Sequence, residues 1–290
     1  MSDTADIATP DADGSAVAAA ARAGEPDRYL AALLAPPSQR EALLALAAFA
    51  AELARIPLVV VREPAMGEIR LQWWRDALEL PQGLRAGHGV ADAVRGAARS
   101  YHLPAALLGG LIDARAVQLR GDLFPNEEAL HDYLWKTEGV LFALAARVVG
   151  LTASAEVEVA CAASGHAYGM ARLLLGLPRS LSLGRISLAQ TQIVMAGLTP
   201  QELLAGTGGA KVVRLLGECR GQIRSSLATA RRFAVKLPRT TRVAFLPLAL
   251  VGPYVRALER PGPAFLREVA PPARLTRVCR IAAAHLFGRL

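Results

Sequence analysis

Apolar residues along this chain recur at three- and four-residue intervals and rarely alternate one-on, one-off, so the pattern predicts helices and almost no strand. The clearest run is "SQREALLALAAFAAELARI", in which Ser38 reads as an N-cap, Glu41 as its capping-box partner and Pro57 as the stop. "EPAMGEIRLQWWRDALEL" follows, with Pro64 near its first turn and Met66, Ile69, Trp73 and Leu80 on one face. Further helices are predicted over 88–101, 104–120, 127–150, 155–176, 186–196, 209–235, 241–259 and 272–287, joined by short connections that carry Gly, Pro or Asn. Trp73, Trp74 and Trp135 read as structural, but Trp73 and Trp74 point about 100° apart on a helix, so only one can face the core fully. No shift in composition divides residues 27–290, which read as one all-α domain.

Composition changes the picture at the N-terminus. Residues 1–26 hold few large apolar side chains, and five acids there outnumber Arg22, so this stretch is expected to be a disordered tail. It is too acidic for a mitochondrial presequence and lacks the apolar core of a secretory signal, which points to a cytoplasmic protein. The net charge is +8, and all but Lys136, Lys211 and Lys236 of the 33 basic residues are arginine. Such a surface suits anionic headgroups or diphosphates. Nucleic acid is not expected as a partner, because no aromatic residues interleave with the arginines to stack on bases. No 18-residue stretch is both charge-free and apolar, so membrane contact is expected to be peripheral, at the inner membrane. Cys161, Cys219 and Cys279 are too few and too scattered for a disulfide framework or a zinc site.

Common catalytic patterns fail on inspection. "GTGGAKVV" at 206–213 has a Lys followed by Val, no preceding strand and the wrong spacing for a phosphate loop. The five histidines show no metal-ligand spacing, and no Gly-x-Ser-x-Gly elbow occurs.

The order of segments is more informative than any of these. "DRYLAALLAPPSQREALLALAAF", "LQWWRDAL", "YHLPAALLGGLIDA", "LHDYLWKTEGVLFALAARVVG" and "GHAYGMARLLLGLPRSLSLGRISLA" together resemble the squalene/phytoene synthase family over about nine tenths of the chain. The resemblance implies a prenyl-synthase-like helical bundle around a central cavity, and head-to-head condensation of two prenyl diphosphates. Departing diphosphate oxygens need Mg²⁺, and the family supplies its ligands as Asp residues four apart on two helices. Laid over this chain, the first Asp-rich motif "AFARYADDIVD" puts its acids at Ala54, Arg55 and Leu58. The second, "NILRDVGED", falls on residues 172–180 and turns Asn into Arg172, Asp into Gly176 and Ser180, and Glu into Arg179.

Two readings follow. In the first, the chain resembles the non-catalytic branch of the family linked to respiratory complex I assembly, on the strength of "AF…ELA…VREP…GEIRLQWWRDA", and it needs no cofactor. Arg55, Tyr168, Arg172 and Arg185 would then line a pocket for an anionic lipid or a prenyl ligand, with respiratory complex subunits as partners. Glu52, Glu68 and Glu138 are the acids these arginines could pair with. In the second, the chain is a true prenyltransferase whose Mg²⁺ site has moved to other acids such as Glu52, Glu68, Asp113 and Asp122. The spacing favours the first, since Asp113 and Asp122 are nine apart and cannot share a helix face as an i, i+4 pair.

Overall fold

The computed structural model describes residues 10–60, 63–121, 123–259, 266 and 269–290, with side chains from residue 14 onward. Among these residues there are only helices and connections, apart from one isolated bridge between Phe124 and Ala189. The all-α expectation therefore holds.

The N-terminal residues differ from expectation. Pro10–Gly24 forms a helix, α1, with Val17 and Ala21 buried, so only residues 1–9 of the anticipated tail lie outside the described residues. Small side chains explain the difference: a Cβ on Gly24 would sit 2.4 Å from the Ala51 Cβ, so α1 packs closely without large apolar residues. Glu25 is the N-cap of α2 (Pro26–Leu33), and α3 (Pro37–Val59) follows.

α3 begins at Pro37 with Pro36 as N-cap and no side-chain cap, so Ser38 is inside the helix rather than capping it. Pro57 does not stop α3 but is carried within it for two further residues. By composition α3 could cross a membrane, with a mean hydropathy of 1.9 over its most apolar window. Its run from Ala42 to Leu53 is instead almost wholly buried between α1, α5 (Gly89–Ser100), α6 (Ala105–Arg120) and α8 (Val140–Val148), which makes it a core helix.

In α4 (Pro64–Glu79) the expected core face is displaced by one residue. Trp74 is 4% exposed and packs edge-on to Phe49 at 5.1 Å, whereas Trp73 is 40% exposed and Met66 and Ile69 also face outward. Gly67 and Leu71 complete the buried face with Trp74. A Cβ at Gly67 would meet Leu119 and Val60 at under 3 Å, which fixes how closely α4 approaches α6.

The segment predicted over 127–150 is α7 (Glu127–Leu134), a π-helical turn (Trp135–Gly139) and α8. α9 (Ala155–Ser182) runs through Pro178, past the predicted end, because Leu177 and Leu181 remain buried on its inner face. Only Gln190–Met195 of the predicted 186–196 helix forms, as α10, since the backbone at Ala189 bridges to Phe124. A short α11 (Pro200–Leu204) leads into α12 (Ala210–Ala234), whose buried face is the predicted Val212, Leu216, Cys219, Ile223 and Leu227. Then come α13 (Arg239–Arg242), a wholly buried 3-10 stretch (Val243–Leu250) containing Pro247, α14 (Val251–Glu259) and α15 (Arg274–Phe287).

Candidate functional site

A cavity of about 230 Å³ opens between α3, α6, the π-helical turn and α9. Ala54 and Leu58 face it from α3, and Arg172, Gly176 and Ser180 face it from α9. The positions that the two Asp-rich motifs overlay thus meet across one space, each set four residues apart on its helix. Arg115 and Gln118 reach it from α6, Glu138 from the π-helical turn, and Arg185 from the turn after α9.

The π-helical turn supplies an extra residue of rotation at the point where Glu138 enters the cavity wall. Close approach of α9 depends on glycine. A Cβ on Gly165 would lie 2.3 Å from the Gly139 backbone nitrogen, and one on Gly169 would meet Leu134 and Glu138 at 2.7 and 2.9 Å.

Below the cavity lies a buried ionic cluster. Arg172 grips Glu25 with both terminal nitrogens, Nη2 to Oε1 at 2.7 Å and Nη1 donating to Oε2 at 2.9 Å, and reaches Glu138 Oε1 at 3.4 Å. Arg28 donates to Glu138 Oε2 at 2.6 Å, and its Nε lies 3.3 Å from Glu25. Asp27 accepts from Tyr168 Oη at 2.9 Å, from Tyr254 Oη and from Arg277 Nη1 at 3.3 Å. The guanidinium carbons of Arg28 and Arg172 lie 5.2 and 5.3 Å from the Tyr168 ring centroid, so the ring separates and supports both.

These contacts set the protonation states. Burial pushes the Glu138 carboxyl up, but Arg172, Arg28 and Arg115 outweigh it and hold the group below the ordinary carboxylate value. Burial would lower Arg172, yet Glu25, Tyr168 and Glu138 hold it well above the ordinary value. Burial raises the Tyr168 and Tyr254 hydroxyls, and the Asp27 charge raises them further, so both stay protonated donors. The cluster sets three acidic side chains, Glu25, Asp27 and Glu138, against three guanidiniums, Arg28, Arg172 and Arg277.

Two more arginines face the same cavity. Arg115 is buried and donates to Tyr133 Oη at 3.1 Å and to Gln118 at 3.2 Å, while its Nε has no hydrogen-bond partner among the described residues. Arg185 donates to the Pro57 carbonyl at 3.1 Å, a cation at the C-terminal end of α3. Neither makes an ion pair among the described residues.

Of the four residues proposed from sequence, Arg172 and Arg185 line the cavity. Tyr168 lies one turn beneath it as a buried support. Arg55 does not belong to the site: its side chain is 67% exposed and pairs with Glu52 at 2.9 Å on the outer surface. It stands one residue from Ala54, about 100° around the helix. Glu25, Asp27, Arg28 and Arg115 were missed, although the charged "GEPDRYL" stretch before an apolar helix is a visible signal for the first three.

The residues present do not fit Mg²⁺, which takes several oxygen ligands in an octahedral array. Among the described residues the one carboxylate lining the cavity is Glu138, already held by two arginines, and no group of three metal-ligating side chains occurs. The described acids considered for a relocated site are paired or exposed elsewhere. Glu52 pairs with Arg55, Glu68 is exposed on α4, Asp113 pairs with Arg75 at 2.8 Å, and Asp122 lies outside the described residues.

Comparison with known proteins places this geometry. A complex I assembly factor 6 from Bos taurus, "NADH dehydrogenase (ubiquinone) complex I, assembly factor 6", is 26% identical over 233 residues, covering 80% of this chain and 69% of that protein. Its Drosophila melanogaster homolog is 24% identical over 241 residues, covering 81% and 72%. Among solved structures, a dehydrosqualene synthase in complex with ligand superposes with a TM-score of 0.72 at 14% identity, over 95% of this chain and 96% of that one. The squalene synthase HpnC from Alicyclobacillus acidocaldarius superposes with a TM-score of 0.66 at 18% identity, over 95% and 94%. These two likenesses show the shared all-α fold. The squalene/phytoene synthase model matches residues 21–278, and the chain belongs to that family.

Proposed function

We propose that this chain is a non-catalytic assembly factor for respiratory complex I, working from the cytoplasmic face of the membrane on subunits of that complex. The observation that carries the reading is the polar lining of the cavity. Where a metal-dependent condensation needs converging carboxylates, α3 and α9 present Ala54, Leu58, Arg172, Gly176 and Ser180. Arg115 and Arg185 add positive charge, which disfavours a divalent cation and favours an anionic group without any metal. The likeness to animal complex I assembly factors supports the assembly role. At about 230 Å³ the cavity is also below the roughly 300–1,000 Å³ usual for a drug-sized ligand, leaving little room for two prenyl chains.

The test has two arms. Purified protein is incubated with farnesyl or geranylgeranyl diphosphate and Mg²⁺, and neither released pyrophosphate nor a condensed product is expected. In parallel, deletion of the gene in its own host is expected to lower the amount of assembled complex I on native gels, with recovery on re-expression. Condensed product would establish the prenyltransferase reading instead, and unchanged complex I would remove the assembly role.

A further inference from the structure

α15 is apolar on two faces, and the fold uses one of them. Ile281 and Ala284 are fully buried against the preceding elements, and Arg277 reaches inward to Asp27. On the opposite side Leu275 is 72% exposed, Val278 and Leu286 are also exposed, and Phe287 at the C-terminal end is 73% exposed. At about 100° per residue, Leu275, Cys279, Ala282 and Leu286 fall within roughly 60° of one another, forming a stripe about 16 Å long. Val278 and Phe287 widen it on either side. This is more apolar exposure than an amphipathic helix needs when its other face already packs on a core.

The charges around the stripe are of one sign. Arg274 and Arg280 project from its two flanks, Arg289 follows the helix, and all three are exposed with no ion pair among the described residues. No Asp or Glu occurs anywhere in residues 269–290. The adjoining α13 adds Arg239 and Arg242, whose charges act with burial to lower the His285 imidazole.

From this arrangement we infer that α15 is a membrane-docking helix, laid in the plane of an anionic lipid surface with its Leu, Val and Phe side chains among the acyl chains. Arginines on both flanks would extend along the apolar surface and place their guanidiniums at phosphate level. A second copy of the chain is a poor occupant. Two such helices face to face would set Arg274 and Arg280 against their own kind with no acid on either helix to pair them. The inference deepens the membrane-face placement in the proposed function, and the two fail separately, because flotation reads a lipid surface and the complex I assay reads a protein partner.

Flotation of the full-length protein with vesicles tests it. With phosphatidylcholine containing about one third phosphatidylglycerol the protein should float, with phosphatidylcholine alone it should not, and added salt should weaken binding as the Debye length shrinks. Leu275→Ser, Leu286→Ser and Phe287→Ser combined should weaken partitioning at least about tenfold, since three apolar side chains no longer insert. Val159→Ser with Val213→Ser, more than half exposed on other helices, should leave it unchanged. Arg274→Gln with Arg280→Gln should reduce binding to the anionic vesicles and flatten its salt dependence, a readout that does not require altering the apolar stripe. Thermal melting of each variant confirms that it is folded. Failure of the native protein to float, or flotation of the triple serine variant equal to native, overturns the inference. So does a concentration-dependent dimer that the triple variant abolishes while vesicle binding is absent.

Discussion

Glu25→Ala probes the ionic cluster at its most connected acid. Glu25 is 2% exposed and holds Arg172 through two contacts of 2.7 and 2.9 Å, with Arg28 Nε at 3.3 Å. Without it, Glu138 at 3.4 Å is the one ion-pair partner left to Arg172 among the described residues, and that carboxylate is shared with Arg28. Removing one partner of a buried pair costs about 3–5 kcal/mol, because the remaining charge is left desolvated and unpaired. The Arg172 side chain is 30% exposed at the cavity, so water relieves part of this penalty and the expected loss is near the lower end, about 3 kcal/mol. Arg172→Met leaves Glu25 at 2% exposure with the weaker Arg28 contact alone, so its cost should be the larger of the two. The double variant should cost less than the two singles together by about 2 kcal/mol or more, since it leaves neither charge stranded. Urea unfolding followed by circular dichroism measures all four proteins, with the midpoint read at constant m. A Glu25→Ala loss below about 1 kcal/mol, or strict additivity in the cycle, would refute the claim that this pair holds the floor of the cavity.

Trp74→Ala should cost about 3–5 kcal/mol and Trp73→Ala about 1 kcal/mol or less, by the same unfolding measurement, because only Trp74 fills core volume. Gly165→Ala should destabilise the fold by more than about 3 kcal/mol or prevent soluble expression, since its Cβ would fall 2.3 Å from the Gly139 backbone nitrogen. Acid should weaken the protein in two stages. Burial and the neighbouring His131 lower His166 from its ordinary 6.5 to about 4, so between these values the unfolded chain binds a proton that the folded one refuses, and stability falls with pH by up to about 3 kcal/mol. Below the ordinary Glu value of 4.5 the contribution of Glu138 is lost as well, and His166→Gln should flatten the first stage while leaving the second. Finally, native protein should show no Mg²⁺-dependent melting shift, whereas Ala54→Asp, Leu58→Asp, Gly176→Asp and Ser180→Asp combined should acquire one, its absence even after Arg115→Gln and Arg185→Gln arguing that α3 and α9 do not oppose one another as described.

Helix periodicity made most of the fold legible, because core-facing residues at three- and four-residue spacing report burial directly. It could not choose between Trp73 and Trp74, since adjacent positions serve two overlapping apolar faces of α4 and only packing against Phe49 decides. α1 escaped detection because it packs through small side chains, Val17, Ala21 and Gly24, which a count of large apolar residues passes over. The acids of the ionic cluster were harder still. Glu25 meets Arg172 across 147 positions and Asp27 meets Tyr168 across 141, and no local pattern encodes a pair so remote. Arg55 is a different kind of error. Motif positions 54 and 58 lie on one helix face, so the residue between them that is 100° away belongs to the outer surface, and the spacing alone contained that answer.

The two layers of charge in this site do different things. The lower one sets three acidic side chains against three guanidiniums, and it ties α2, the π-helical turn, α9, α14 and α15 together without a ligand. Asp27 is its pivot, for it accepts from Tyr168 on α9, Tyr254 on α14 and Arg277 on α15 at once. The upper layer, Arg115 and Arg185, is unbalanced among the described residues and opens onto the cavity. At about 4 Å and an effective dielectric near 20, each unit of positive charge raises the energy of a further cation charge by roughly 4 kcal/mol and lowers that of an anion by as much. On that arithmetic a rigid floor beneath a positively charged opening would favour an anion over a cation, as the proposed function requires. Because Asp27 also anchors Arg277, the helix that carries the exposed apolar stripe and the floor of the cavity share one set of bonds, and loosening that carboxylate would loosen both.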